Sequence, residues 1–203
     1  MKLSLIGSGG HARSVISLLS DNRIDVKNIY DDSYNFQKEE RLGKHLLNGK
    51  IKDITKLEKL ILALGDNTTR QYYFEKYFNQ IHKTNIVHSS AVIDTYAQTG
   101  EANLFFARSF INYGVKIGYN NILNTASVVE HECVIGNHNH ISVGTILCGR
   151  VRIGNNCFLG AGSVLKDGVQ LGDEIILGAG TVVVKNIMEK GTYVGVPAKK
   201  IKS

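Results

Sequence analysis

Residues 151–183, broken into sixes, read VRIGNN, CFLGAG, SVLKDG, VQLGDE, IILGAG, TVV. The third letter of every block is apolar: Ile153, Leu159, Leu165, Leu171, Leu177 and Val183. Traced back at the same interval, the series runs through Leu147, Ile141, Ile135, Val129, Leu123, Ile117, Ile111 and Phe105 without an exception. In a chain that is 43% hydrophobic, chance fills one such phase with a probability of about 10⁻⁵, or about 10⁻⁴ over six phases. Neither the helical nor the strand period gives a strict six over so long a run. The flanking positions agree. Two residues before the apolar slot stand small or β-branched side chains, among them Val115, Ser127, Cys133, Thr145, Val151, Cys157, Ser163, Val169 and Thr181. Residues two apart on a strand point the same way, here inward. Glycine follows the slot at 118, 136, 154, 160, 172 and 178, where it is expected to permit a tight corner. This is a hexapeptide solenoid, whose coils bury their faces only by stacking on one another.

Residues 1 to about 82 obey a different rule. Lys2–Ile6 reads as a short strand, Gly7-Ser8-Gly9-Gly10 as a turn, and 11–20 as a helix with Ala12, Val15, Ile16 and Leu19 on its apolar side. Val26–Tyr30 reads as a second strand ending at Asp31-Asp32, and Lys59–Leu64 as a third. Asn67 is expected to cap a helix running to Asn79, with Tyr73, Phe74, Tyr77 and Phe78 on its apolar side. Strands alternating with helices imply a parallel sheet, a Rossmann-like βαβαβ unit. The expected domains are therefore 1–82 and 83–203, the second closing on a short tail.

Composition narrows the function classes. No run approaches the roughly 18 apolar residues of a membrane span, and the N-terminal apolar run is too short for a secretory signal. The chain is expected in the cytoplasm. Cys133, Cys148 and Cys157 form no CxxC pair, so they are expected as buried small residues rather than metal ligands or disulfides. The formal charge is +6. The basic residues are scattered apart from Lys199, Lys200 and Lys202, with no basic helix and no RNA-binding aromatic motif, and no nucleic-acid partner is expected. A phosphate-bearing cofactor explains the charge as well as nucleic acid would, so charge alone does not decide between them.

The loop Gly7-Ser8-Gly9-Gly10-His11-Ala12 fits G-x-G-x-x-G/A, with acids at Asp31 and Asp32 about 20 residues on. The unit is too short for a full dinucleotide site, so a nucleotide sugar is expected. Its phosphates could take backbone N–H groups from Gly9, Gly10 and His11 at the helix start. This assignment, with Asp31 and Asp32 on base or ribose hydroxyls and Gly65 allowing close approach, rests mainly on a family resemblance.

These stretches carry a resemblance, together with Leu64-Gly65-Asp66-Asn67, Arg70, His88-Ser89-Ser90-Ala91, Val129-Glu130-His131-Glu132-Cys133, His138-Asn139-His140 and Gly195-Val196-Pro197-Ala198-Lys199. The chain resembles the hexapeptide-repeat sugar acetyltransferases of the sialic-acid and bacillosamine type, above all those acting on the 4-amino group of a nucleotide-linked sugar. The resemblance implies a left-handed parallel β-helix with three hexads per coil, a homotrimer with active sites between subunits, and acetyl-CoA as cosubstrate. It also implies a UDP-linked amino sugar destined for a surface glycan or glycoprotein. One departure is the segment 36–50, longer and more charged than the family's loop.

On that footing the chemistry falls to named residues. Acetyl transfer to an amine needs a base, and imidazole titrates in the right range. The resemblance makes His131 that base and Glu132 its support; an adjacent carboxylate can take the other ring N–H and fix the tautomer. One coil of 18 residues beyond His131 stands Gly149. In register, a residue without a side chain leaves room beside the base for a thioester, and offers a backbone N–H to its carbonyl oxygen. The resemblance places His140 at the acetyl group and Ala161 and Ala179 along the pantetheine arm. Lys199, Lys200 and Lys202 either meet CoA phosphates or form a solvated tail. A covalent route through Cys148 is the alternative to direct transfer. Three other readings remain on the same fold. One is a sialate-type O-acetyltransferase, and another a nucleotide-sugar-binding trimer without catalysis. The third is a zinc-dependent carbonic anhydrase, which the spacing of His131, His138 and His140 fits poorly. No metal is expected.

Overall fold

A computed structural model describes residues 2–35 and 41–201. The chain divides into two compact units, Met1–Lys83 and Thr84–Ser203.

The first unit begins with β1 (Lys2–Ile6), α1 (Gly10–Asp21) and β2 (Asp25–Tyr30). A two-residue hairpin follows, β3 (Arg41–Leu42) against β4 (His45–Leu46). Then come β5 (Leu60–Leu62) and α2 (Asn67–Lys76). The strands lie parallel in the order β2-β1-β5. Leu3, Leu5, Ile6, Leu60, Ile61 and Leu62 are all buried. Side chains of both alternating directions are covered, as befits a parallel sheet. On α1 the buried set is Ala12, Val15, Leu18 and Leu19; Leu18 takes the place expected of Ile16, which is half-buried. Gly7 closes β1 at φ +107°, and a Cβ there would lie 2.8 Å from the Ala63 carbonyl oxygen. Only glycine lets the two strand ends approach this way. The Glu58 carboxylate gathers Ser4, Asn28, Tyr30 and Thr55 as donors. Burial alone would push its pKa up, but these donors win and bring it down to about 2.

The second helix differs from expectation at both ends. Asp66, not Asn67, is the N-cap, its Oδ1 accepting the Thr69 N–H at 2.8 Å. Asn67 instead accepts a bond from Arg70 Nη2 at 2.7 Å. The helix stops at Lys76, and Phe74 alone of the four aromatic residues is buried. Of the charged segment 36–50, residues 36–40 lie outside the described residues, as does Lys202 of the tail.

The second unit is a parallel β-helix. Strands of mostly two residues stack into three sheets, and up to Val183 each pairs with its equivalent one coil away, as in Phe110↔Val128↔Ile146; one sheet ends with Lys199–Lys200 antiparallel to Gly191–Val194. The second residue of each strand points inward, and Phe105, Ile111, Leu123, Val129, Ile141, Leu147, Leu159, Leu165, Leu177 and Val183 are fully buried. The corners correct the reading of the glycines. Positive φ falls at 102, 108, 114, 120, 126, 132, 138, 144, 150, 156, 162, 168, 174 and 180, midway between apolar slots. The glycines next to those slots serve another purpose. A Cβ on Gly136 would lie 2.5 Å from the Gly154 carbonyl oxygen of the following coil. Gly118, Gly136, Gly154, Gly160 and Gly172 are small because backbone of the next coil lies against them, and Gly178 because the Val194 side chain does, not because the chain turns left-handed. A further feature has no counterpart in the sequence reading. Asn103, Asn121 and Asn139 stack fully buried, each side-chain Oδ1 accepting the backbone N–H one coil on, at 2.7–2.8 Å.

Candidate active site

His131 stands at the corner between the strands Val128–Val129 and Val134–Ile135. The corner is fixed by its backbone: the Glu132 N–H donates to Tyr113 O at 2.9 Å, and the Arg150 N–H to His131 O at 2.9 Å. Glu132 takes the left-handed conformation, φ 60°, which turns its carboxylate back to its neighbour. Glu132 Oε2 lies 3.3 Å from His131 Nδ1. That contact favours the tautomer with Nδ1 protonated and the Nε2 lone pair available. The imidazole is 43% exposed, open to a substrate.

Gly149 lies one coil beyond, directly against the ring. A Cβ built on it would stand 2.5 Å from His131 Cε1, 2.6 Å from Nε2 and 2.9 Å from Asp167 Oδ2. The Nε2 atom of the imidazole therefore crowds the position that a side chain at 149 would take. Among the described residues the Gly149 N–H donates to no carbonyl. Asp167, one coil further on, is held through Oδ1 by Arg150 Nη2 at 2.7 Å. Sequence reasoning missed this pair; the same arithmetic of one coil per step would have reached Asp167 from Gly149.

The other residues expected at the cosubstrate site stand elsewhere on the coil. His140 lies on a strand of the sheet that precedes the His131 corner by one face. It is buried, its ring edge-on to Phe158 with centroids 5.1 Å apart and its Nε2 3.2 Å from Asn124 Nδ2. Ala161 and Ala179 are stacked and exposed at the corner after Phe158–Leu159 and after Ile175–Leu177. Within one chain, a whole face of the coil separates that corner from His131. Lys200 pairs with Glu189 at the chain's own surface. Cys133 and Cys157 are buried, and burial pushes both thiols up to about 12; Cys148, beside Gly149, is half-buried. No group of metal-ligating side chains occurs among the described residues.

In the first unit, Gly9 caps α1 with no side-chain bond, and Gly9 and Gly10 are exposed with open space where side chains would be. Backbone N–H groups at such an uncapped start suit an anion. His11 is half-buried, and burial together with the Arg70 charge lowers its pKa to about 4. It is a neutral ring at pH 7. Asp31 binds the loop itself: Oδ2 accepts from Ser8 N and Oγ at 2.7 and 2.9 Å, and Oδ1 from Ser33 N and Oγ at 2.9 and 2.7 Å. Burial raises its pKa, but these four bonds outweigh it and hold the carboxyl below the usual range. Asp32 is exposed and accepts from Tyr73 OH at 3.1 Å and Ile51 N at 3.2 Å. The Gly65 carbonyl faces the buried Arg70 guanidinium at 3.5 Å.

Comparison with known proteins follows the same division. Residues 2–77 match the family described as PglD N-terminal domain, and residues 150–185 the hexapeptide repeat of succinyl-transferase. The chain is similar to PerB from Caulobacter crescentus, crystallised with CoA and GDP-perosamine: 32% identity, covering 100% of this chain and 98% of that one, TM-score 0.88. A mutant of a GDP-perosamine N-acetyl transferase from Caulobacter crescentus, also crystallised with CoA and GDP-perosamine, aligns at 30% identity over the same shares, TM-score 0.88. The acetyltransferase domain of PglB from Neisseria gonorrhoeae aligns at 25% identity over 98% of this chain and 99% of that one, TM-score 0.88. A curated relative, an uncharacterized protein of Acanthamoeba polyphaga mimivirus, is 35% identical over 96 residues, which span 19% of its own length.

Proposed function

We propose, for a chain that belongs to the hexapeptide-repeat N-acetyltransferases of nucleotide-linked amino sugars, that it moves the acetyl group of acetyl-CoA onto a sugar 4-amino group with His131 as base. The observation that carries this reading is the stacking of His131 over Gly149, with Glu132 behind the ring. The amine enters the space beside Gly149 and its lone pair attacks the thioester carbon. His131 Nε2 takes a proton from the nitrogen, and Glu132 steadies the imidazolium that results. The Gly149 N–H stabilises the carbonyl oxygen as it becomes an oxyanion. The C–S bond breaks, and the proton passes from His131 to the departing thiolate. A positioned base contributes about 10²–10⁴ in rate.

The nucleotide belongs to the first unit. Its phosphates meet the N–H groups of Gly9, Gly10 and His11, and Asp31 serves by clasping Ser8 and so shaping that loop. Asp32, exposed, and Gly65 complete the site. The nucleotide was expected to be UDP; a relative crystallised with GDP-perosamine keeps GDP open beside it.

The assembly is a trimer. On the sheet between the two corners, the outward residues are Val92, Phe110, Val128, Ile146, Val164 and Val182, all apolar and none buried. On the sheet following the His131 corner they are Gln98, Lys116, Val134, Arg152 and Gln170. An apolar stripe of this length suits a second copy. Packed on that face by a threefold axis, one copy's His131 meets its neighbour's Ala161 and Ala179, and the pantetheine arm lies along them with His140 near the acetyl group.

Thiol release from acetyl-CoA against UDP-, GDP- and dTDP-linked 4-amino sugars tests the reading. Activity on one of them, lost by at least about a hundredfold in His131→Ala, is the expected result. No turnover of any amine, with hydroxyl acceptors acetylated instead, would overturn it in favour of an O-acetyltransferase.

A further inference from the structure

The geometry points to Asp167 as the residue that selects an amine over a hydroxyl as acetyl acceptor. This rests on the acetyl-transfer reading above and names what that site recognises. His131, Gly149 and Asp167 follow one another at one-coil intervals down a single corner of the β-helix. The vacant Cβ position of Gly149 lies 2.6 Å from His131 Nε2 and 2.9 Å from Asp167 Oδ2. Both atoms thus lie within 3 Å of one point beside Gly149, so a single acceptor nitrogen can come within hydrogen-bond reach of both. Arg150 holds Oδ1 at 2.7 Å, which leaves Oδ2 turned toward Gly149.

The hydrogen count of the acceptor decides what fits there. A neutral primary amine carries a lone pair and two N–H bonds. The lone pair forms the new N–C bond, and one proton goes to His131 Nε2 and then to the leaving thiolate. The other hydrogen stays on nitrogen in the amide product, and Asp167 Oδ2 accepts it throughout. A hydroxyl has one hydrogen only, which His131 takes. Toward Asp167 it presents a lone pair, so two oxygens meet with no hydrogen between them. A site built to bond a substrate N–H rejects the analogue that lacks it, because its own polar group is left without a partner.

The test uses the full-length protein and the 4-amino nucleotide sugar that the panel identifies, with its 4-hydroxy counterpart as competitive inhibitor. Asp167→Ala is expected to lower kcat/KM for the amine about 10- to 100-fold. The KM for acetyl-CoA stays as it is, and the Ki of the 4-hydroxy sugar does not rise, because the opposed oxygen is gone. Asp167→Asn recovers part of the loss, because its amide oxygen accepts the same hydrogen. The pair with Arg150 is exposed and worth little to folding, and circular dichroism of both variants checks that the coil is intact. An Asp167→Ala enzyme with unchanged kcat/KM overturns the assignment. So does one that weakens the hydroxy sugar as much as the amine. Either result leaves the parent reading standing, whereas a wild-type protein that acetylates no 4-amino sugar refutes both.

Discussion

At the scale of single residues, the absence of a side chain at 149 matters as much as the presence of imidazole at 131. Gly149→Ala places a methyl 2.5 Å from His131 Cε1, closer than any real contact, so one of the two must move. The backbone at 149 is tied on both sides, by Arg150 N to His131 O and by Gly168 N to Gly149 O. The imidazole is half-exposed at the end of a flexible side chain, so the ring yields. The variant is expected to fold with little change in melting temperature and to lose kcat by about 10²-fold or more, the contribution of a positioned base. Thermal melting beside steady-state kinetics checks this; an alanine variant with wild-type kcat would mean that His131 does not work from this rotamer. This part of the site was legible in the sequence because a coil of constant length turns stacking into arithmetic. Asp167 and Arg150 were not read, because a charged pair at an exposed corner looks like any solvated surface until the space over Gly149 is seen.

At the scale of the element, the repeat is held by more than its apolar column. The inward slots at 103, 121 and 139 carry asparagine, fully buried. Asn121 Nδ2 donates to Asn103 Oδ1 at 3.0 Å and to Gly136 O at 3.0 Å, while its Oδ1 accepts the Asn139 N–H at 2.8 Å. Removing it strands buried backbone groups, each costing about 1–3 kcal/mol. Asn121→Ala is therefore expected to destabilise the β-helix by about 3 kcal/mol, read as a lowered denaturation midpoint. A variant as stable as wild type would show that the ladder is incidental to the coil. Asparagine in an apolar period looks like an interruption, because its partners lie one coil away and nothing local announces them. The same limit explains the glycines. Their spacing was visible, yet the reason for it, carbonyls pressing on the next coil, belongs to stacking and not to turn chemistry. In α2 the error was local: Asp66 and Asn67 are both good caps, and the buried Arg70 decides between them by claiming the Asn67 side chain.

At the scale of the whole molecule, the placement of the expected site residues carries an argument for assembly. His131, the proposed base, is at one corner of the coil, Ala161 and Ala179 are at another, and the face between them is the apolar one. No single chain brings these residues together, so under the proposed function a monomer holds an incomplete site. The sequence period revealed which residues point in; the outward ones looked unremarkable, because β-branched residues suit any strand. Only the three-sheet register separates Val92, Phe110, Val128, Ile146, Val164 and Val182 from the mostly polar row Gln98, Lys116, Val134, Arg152 and Gln170. Ile146 lies in the middle of the stripe, paired with Val128 and Val164, and is 38% exposed. Ile146→Glu sets a carboxylate into that face, where a packed neighbour would strip it of water without offering a cation. If the proposed trimer packs on this face, the variant is expected to elute as a monomer with the β-helix spectrum of the wild type, and to lose turnover although His131, Gly149 and Asp167 are untouched. Light scattering coupled to gel filtration, read with the thiol-release assay, separates the outcomes. A trimeric variant would place the interface on another face. A wild-type monomer with full activity would mean that the groove at Ala161 and Ala179 is not where the cosubstrate lies.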